Sequence, residues 1–267
     1  MLTLNNISKT FFKNTVNEKK ALDNINLHLN DGDFVSILGT NGAGKSTLFN
    51  AICGTFLPDV GNVFLGGKMI TGLDEHKTAK FIGRMFQDPL KGTAPNMTIE
   101  ENLSLAYSKG GRTAFSLGVR KKDKVFFKEI LSTLNLGLED RLKTKVGLLS
   151  GGQRQALTLL MATITTPKLL LLDEHTAALD PATAKKVLKL TEDIVSKDKI
   201  TTLMITHNIA NALSLGNRTI MMDNGKIVLD ISGGERADMT AEGLLKLYSL
   251  KNNKQLDNDR ILFSAVK

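Results

Sequence analysis

Three observations in this chain of 267 residues predict an α/β fold with a parallel-sheet core, an antiparallel β layer and an inserted helical segment. An apolar run over 34–38 leads into GTNGAGKS, residues 39–46, and then into a helix predicted over 46–54. Strand, glycine turn and helix is the context that a phosphate-binding loop requires. An unbroken leucine run, 169–172, lies between Pro167 and a pair of acids, as expected of a strand buried on both faces of a parallel sheet. Further strands over 202–205 and 218–222 alternate with helical segments after Pro181 and His207, the βαβ rhythm of that sheet.

The remaining elements follow in order. Residues 2–65 alternate strands and turns around the glycine loop, which gives the antiparallel layer, and 82–86 returns to the core sheet. Residues 89–95, bounded by prolines, break the pattern. Thr98 and Glu101 form a capping box for a helix to about 107, and a second helix starts at Asp123 and runs to about 135. Ser150 caps a helix continuing over 153–165. Asn224-Gly225 is a hairpin turn into a strand over 226–230, and 240–250 reads as a short amphipathic helix before a polar stretch over 251–260. The expected organisation is a first part of the core with the β layer, 1–87, a helical insert, 88–149, a second part of the core, 150–230, and a C-terminal helix with a polar tail, 231–267.

The glycine loop has readable chemistry. Gly39, Gly42 and Gly44 lack a Cβ, so backbone N–H groups can turn inward toward phosphate oxygens, with a helix N-terminus behind them. Asn41, Ala43 and Thr47 complete the nucleotide-facing loop. Lys45 adds a cation for the β- and γ-phosphates, and Ser46 offers a hydroxyl to Mg2+. At the C-terminal end of the leucine strand, where ligands sit in open α/β sheets, Asp173 is placed to hold Mg2+ and Glu174 to polarise the water that attacks the γ-phosphate.

A second anion site is written at LSGGQRQ, residues 149–155. Ser150 is a good N-cap, Gly151 and Gly152 expose backbone N–H groups, and Gln153 carries the helix onward. With these motifs the sequence resembles the nucleotide-binding subunit of ATP-binding-cassette (ABC) transporters over about 2–230. The resemblance implies a P-loop NTPase with a RecA-like core, an ATPase using ATP and Mg2+. It also implies two copies packed head to tail, the loop at 39–46 of each facing Ser150, Gly151, Gly152 and Gln153 of the other across ATP. Gln87 in FQDP then matches the glutamine that touches Mg2+ and the attacking water. Asp180 in AALDP matches the loop that crosses between copies, and His207 in MITHN the residue that contacts the γ-phosphate and orients Glu174. Taken alone, Gln87 also reads as a surface amide, Asp180 as an N-cap before Pro181, and His207 as a satisfied histidine at a strand end. Phe11 in ISKTFF stands where the family stacks adenine on an aromatic ring, with Phe12 beside it. One departure is visible. His175 follows Glu174 where most family members carry proline, so this loop is expected to be less constrained, with a titratable group beside Glu174.

Composition adds limits. With 42% apolar residues the chain can bury a substantial core, and its apolar stretches are too short to cross a bilayer or to direct secretion. One cysteine, Cys53, excludes an intrachain disulfide or a cysteine zinc cluster and fits a small core residue in a reducing cytoplasm. Net charge is +8, with many basic residues at 109–124. That stretch has no aromatic ladder and no nucleic-acid motif, so no direct nucleic-acid binding is expected. It reads as an exposed loop of the insert, either near anionic lipid headgroups or simply solvated.

The resemblance further implies an integral membrane permease as partner, a place on the cytoplasmic face of the cell membrane, and a docking cleft beside Gln87 involving Leu90, Met97 and Glu100. KTKVGL before the signature, on a chain with no fused membrane spans, leans toward an importer. EHTAALDP with FQDP and GLEDRL is similar to bacterial ATPases grouped with branched-chain-amino-acid-type permeases, which work with an extracellular substrate-binding protein. An amino acid or similar small solute, with an aromatic one in view, is the expected cargo. The alternatives are an exporter, or an ABC ATPase acting on ribosomes or DNA. Against the last, the glycine loop and acidic strand are separated by no heptad run.

Overall fold

A computed structural model describes residues 1–108 and 119–252. The strands are β1 (Leu2–Phe11), β2 (Lys19–Leu29), β3 (Phe34–Gly39), β4 (Val60–Leu65), β5 (Lys68–Met69), β6 (Ile82–Met85), β7 (Leu169–Asp173), β8 (Thr201–Ile205), β9 (Arg218–Asp223) and β10 (Lys226–Ser232). The helices are α1 (Lys45–Cys53), α2 (Glu75–Thr78), α3 (Ile99–Ser108), α4 (Lys121–Ser132), α5 (Gly151–Thr163), α6 (Pro181–Asp198), α7 (Ile209–Ser214), α8 (Gly233–Ala237) and α9 (Ala241–Asn252). They fall into two compact units, one formed by Met1–Thr78 with the chain from Lys199 onward, the other by Ala79–Asp198.

In the first unit, an antiparallel sheet runs β2-β1-β4-β5, with Leu2 opposite Leu29 and Leu65. Residues of β1 alternate between buried Leu2 and Leu4 and more open neighbours, the pattern of a sheet with one face on the core. A parallel arrangement stands beside it in this unit. β3 pairs with β8 through Ile37 and Ile205, and with β9 through Ile37 and Ile220. All six residues of β3 are buried, Ser36 among mostly apolar neighbours, as in a strand covered on both faces. Thus β8 and β9, consecutive in sequence, each pair with β3, which lies between them. β10 returns antiparallel to β9 through Asn224 (φ +46°) and Gly225 (φ +76°), the two positive φ angles of a tight hairpin turn. α7 and α9 cover this part with Ile209, Ala212, Leu244 and Tyr248 against Leu38, Met221 and Leu229. Cys53, near the end of α1, is 3% exposed, as expected of a core residue.

In the second unit, β6 and β7 pair in parallel, Ile82 with Leu169 through Met85 with Leu172. Ile99, Leu103, Phe127, Leu131, Leu142, Leu157 and their neighbours bring α3, α4 and α5 onto one apolar core. Thr98 and Glu101 make the expected box, the Glu101 carboxylate accepting from the Thr98 N–H at 2.7 Å. Glu100 is buried and carries two ion pairs, to Lys124 at 3.3 Å and to Lys143 at 2.5 Å. Of the basic stretch at 109–124, residues 109–118 lie outside the described residues, as does the tail from 253 onward. No helix among the described residues is long and apolar enough to cross a membrane.

Candidate functional site

The phosphate loop belongs to the first unit. Gly39 (φ +151°) and Gly44 (φ +103°) hold it in shapes open to glycine, and the chain also passes them too closely for a side chain. A Cβ on Gly39 would lie 2.3 Å from the Met222 carbonyl oxygen, and one on Gly44 2.5 Å from that of Ala21. α1 then starts at Lys45 with no capping side chain and no acid in its first turn, an end suited to an anion. Lys45 is buried and donates from Nζ to the carbonyls of Gly39 at 2.7 Å and Thr40 at 2.9 Å. Its ammonium therefore stays over the loop rather than in solvent. Ser46 and Thr47 follow in the first turn of the helix, and Asn41, Gly42 and Ala43 form the bend before it.

Phe11 ends β1 half-buried, its ring edge-on to Phe56 at 5.5 Å between centroids, and Lys9 Nζ lies 5.7 Å from its centre. Phe12, at φ +53°, is 70% exposed. Of the two rings, Phe11 is the one held in place. His207 follows β8, between Thr206, whose N–H reaches the Ile37 carbonyl, and Asn208, which caps α7 by accepting from the Asn211 N–H at 2.9 Å.

The acidic strand end belongs to the second unit. Asp173 closes β7, only 9% exposed, and Glu174 follows at φ +47°, a left-handed backbone that is uncommon away from glycine. Gln87 Nε2 donates to the Glu174 carboxylate at 3.2 Å, so the structure brings these two predicted residues together. His175 corrects the expectation of a loose loop. It is 3% exposed, its Nε2 lies 3.1 Å from Thr191 Oγ1, and its carbonyl accepts from Gln155 Nε2. Burial pushes its imidazole down to about 4, so it is neutral at ordinary pH.

Ser150 caps α5 with a reciprocal box, Oγ accepting from the Gln153 N–H at 3.3 Å while Gln153 Oε1 accepts from the Ser150 N–H at 3.2 Å. Arg154 was not singled out in the sequence, yet its guanidinium clamps the preceding turn, donating to the carbonyls of Gly147 and Leu149, each at 3.0 Å. Its position one turn inside a glycine-started helix was the available signal. Gly152, expected from the sequence for its exposed N–H, also meets α6 closely, since a Cβ there would lie 2.3 Å from Thr183 Cγ2. Asp180 accepts from the Thr183 N–H at 3.0 Å, which places it as a cap of α6, and its hydrogen bonds with Thr183 lower its pKa. In the same unit a cleft of about 310 Å3 is lined by Arg84, Gly92, Asn102, Leu105, Thr158 and others. Leu90, Met97 and Glu100 do not line it, Glu100 being turned into its ion pairs.

A family model described as ABC transporter matches residues 22–177. The chain belongs to the ABC transporter family. It is 44% identical over 248 residues to the tyrosine transport ATP-binding protein of Clostridioides difficile (strain R20291), a match covering 93% of this chain and 98% of that one. It is 36% identical over 229 residues to the methionine import ATP-binding protein MetN of Corynebacterium glutamicum, covering 83% of this chain and 60% of that longer one. The dimeric ATP-binding cassette MJ0796, solved in a post-hydrolysis state with ADP and Pi, superposes with a TM-score of 0.75 at 31% identity, covering 87% and 98% of the two chains. The fold is thus the P-loop ABC cassette, and the chain is an ABC ATPase, the ATP-binding subunit of an ABC transporter.

Proposed function

We propose that this ABC ATPase drives an importer of a small solute, an amino acid with an aromatic side chain foremost. The 44% identity to a tyrosine transport ATP-binding protein over nearly the whole of both chains carries this reading. When bound, ATP supplies the γ-phosphoryl group and Mg2+ offsets the charge of its oxygens. The glycine cradle and the buried Lys45 fit the phosphates, while the Ser46 hydroxyl and the Asp173 carboxylate are hard oxygen donors that fit Mg2+, with Gln87 as a third. Among the described residues no cluster of three or more His, Cys, Asp or Glu could hold a metal by itself, which suits an ion shared with phosphate oxygens.

In this reading Phe11 stacks on adenine, Gly39 to Thr47 hold the phosphates, Glu174 accepts a proton from the attacking water, and His207 steadies the γ-phosphate end. Ser150, Gly151, Gly152, Gln153 and Asp180 serve the nucleotide of a second copy, in a pair closed by ATP and released by hydrolysis. The helical insert spans 88–149, and a cleft between it and the core, beside Gln87, receives a cytoplasmic segment of an integral permease. The pair would work at the cytoplasmic face of the membrane, with an extracellular binding protein delivering the solute.

Three measurements test this. Gentle membrane solubilisation and mass spectrometry on a tagged chain should recover a multi-pass permease, and a strain lacking the chain should lose uptake of labelled tyrosine or a related amino acid. Recovery of ribosomes or DNA-repair proteins without a permease would overturn transport. Glu174→Gln should still bind ATP while turnover falls by about two orders of magnitude or more.

A further inference from the structure

His175 is a buried polar side chain to which the chemistry above gives no part, yet it adjoins Glu174 and is tied at both its backbone and its ring. The tautomer follows from the network. Thr191 Oγ1 donates its hydrogen to the Val187 carbonyl at 2.8 Å, so toward the ring, 3.1 Å away, the same oxygen is an acceptor, and Nε2 carries the proton. Thr191 is completely buried on α6. On the other side the His175 carbonyl accepts from Gln155 Nε2, itself 2% exposed on α5. The residue after Glu174 is therefore held from two helices at once. Glu174 meanwhile sits at φ +47°, a conformation that an L residue other than glycine keeps only when its surroundings over-determine it. Its carboxylate, at the far end of this arrangement, is aligned with Gln87 Nε2 at 3.2 Å.

We propose that His175 is a positioning residue for ATP hydrolysis: its Nε2–H to Thr191 and its carbonyl to Gln155 lock the residue behind Glu174, and so fix where the Glu174 carboxylate meets Gln87 and the attacking water. The inference rests on the reading of Glu174 as the proton-accepting carboxylate. The backbone here is constrained by two hydrogen bonds to buried partners, Thr191 and Gln155. A histidine that merely fills space would contribute to stability and leave turnover alone.

The test is steady-state ATP hydrolysis by the full chain, with kcat and KM separated and the melting temperature recorded beside them. His175→Leu, which fills similar space without the N–H, should lower kcat about tenfold while KM for ATP stays within about twofold. His175→Gln, whose amide N–H can still reach Thr191, should restore most of kcat. Thr191→Val should resemble His175→Leu, and the double variant should be no slower than the slower single one, because both remove the same bond. Thr191→Val keeps the imidazole and exchanges one hydroxyl for a methyl, so it carries the test if His175→Leu does not fold. Wild-type kcat in His175→Leu or Thr191→Val, beside a Glu174→Gln that has lost turnover, would overturn the inference and leave the reading of Glu174 intact. Full activity of Glu174→Gln would overturn both.

Discussion

A neutral imidazole sealed between two helices makes the fold sensitive to acid at a single residue. The unfolded chain protonates His175 at its ordinary value of 6.5, whereas the native chain resists protonation down to about 4 because burial disfavours the charged ring. The unfolded state thus binds more protons in this window. The sign is fixed: stability is fully present above about pH 6.5 and declines as pH falls toward 4. Between pH 6.5 and 5 this residue alone should remove about 2 kcal/mol. Urea unfolding at pH 7.5 and at pH 5 checks it, with His175→Gln expected to lose correspondingly less stability over the interval. Equal losses in both proteins would mean that His175 is not the group responsible. The sequence offered His175 only as a departure beside Glu174. Its burial depends on α5 and α6 meeting over it through Gln155 and Thr191, 20 residues upstream and 16 downstream, which no local pattern encodes.

Helices α5 and α6 approach so closely at Gly152 that one added carbon decides their spacing. Gly152→Ala would press a Cβ to 2.3 Å from Thr183 Cγ2, and the β-branched threonine has little rotamer freedom with which to yield. The expected cost is about 1–3 kcal/mol in melting stability. Thr183→Ala in the same chain should recover most of it, and a failure to recover would place the requirement for glycine in the backbone instead. The ion pairs of Glu100 give a second, asymmetric expectation. Glu100→Leu leaves two lysines that can return to water, whereas Lys124→Met with Lys143→Met leaves a carboxylate with a 5% exposed side chain without them. The lysine double variant should be the less stable of the two, and chemical denaturation ranks them. At this scale the sequence was most legible where the deciding partner lay within a few residues: the box at Thr98, the cap at Ser150 and the Asn224-Gly225 turn are all found. The order β8-β3-β9 was not legible, because parallel pairing joins segments more than 160 residues apart and leaves no mark in either.

Across the whole molecule, the chain leaves its first unit after Thr78 and re-enters it at Lys199. The glycine loop and His207 belong to one unit, while Gln87, Asp173, Glu174 and Ser150 belong to the other. The motifs were legible because each is short and of unusual composition; the allocation of the segments to two bodies was not, since it is set by contacts and not by composition. If Ser150 serves the nucleotide of a second copy, Ser150→Arg should abolish turnover and ATP-dependent pairing in light scattering while a single copy still binds ATP nearly normally. Weak binding by that single copy would place Ser150 at its own chain's nucleotide. The solitary thiol of Cys53, shut away on α1 at 3% exposure, has a practical consequence for such work. A maleimide spin label has no accessible target on the native surface, so a cysteine introduced at the fully open Val16 would be the only labelled site in each chain. Any dipolar coupling between labels would then report association of two molecules, and slow modification of Cys53 itself would time the opening of the helix behind the phosphate loop.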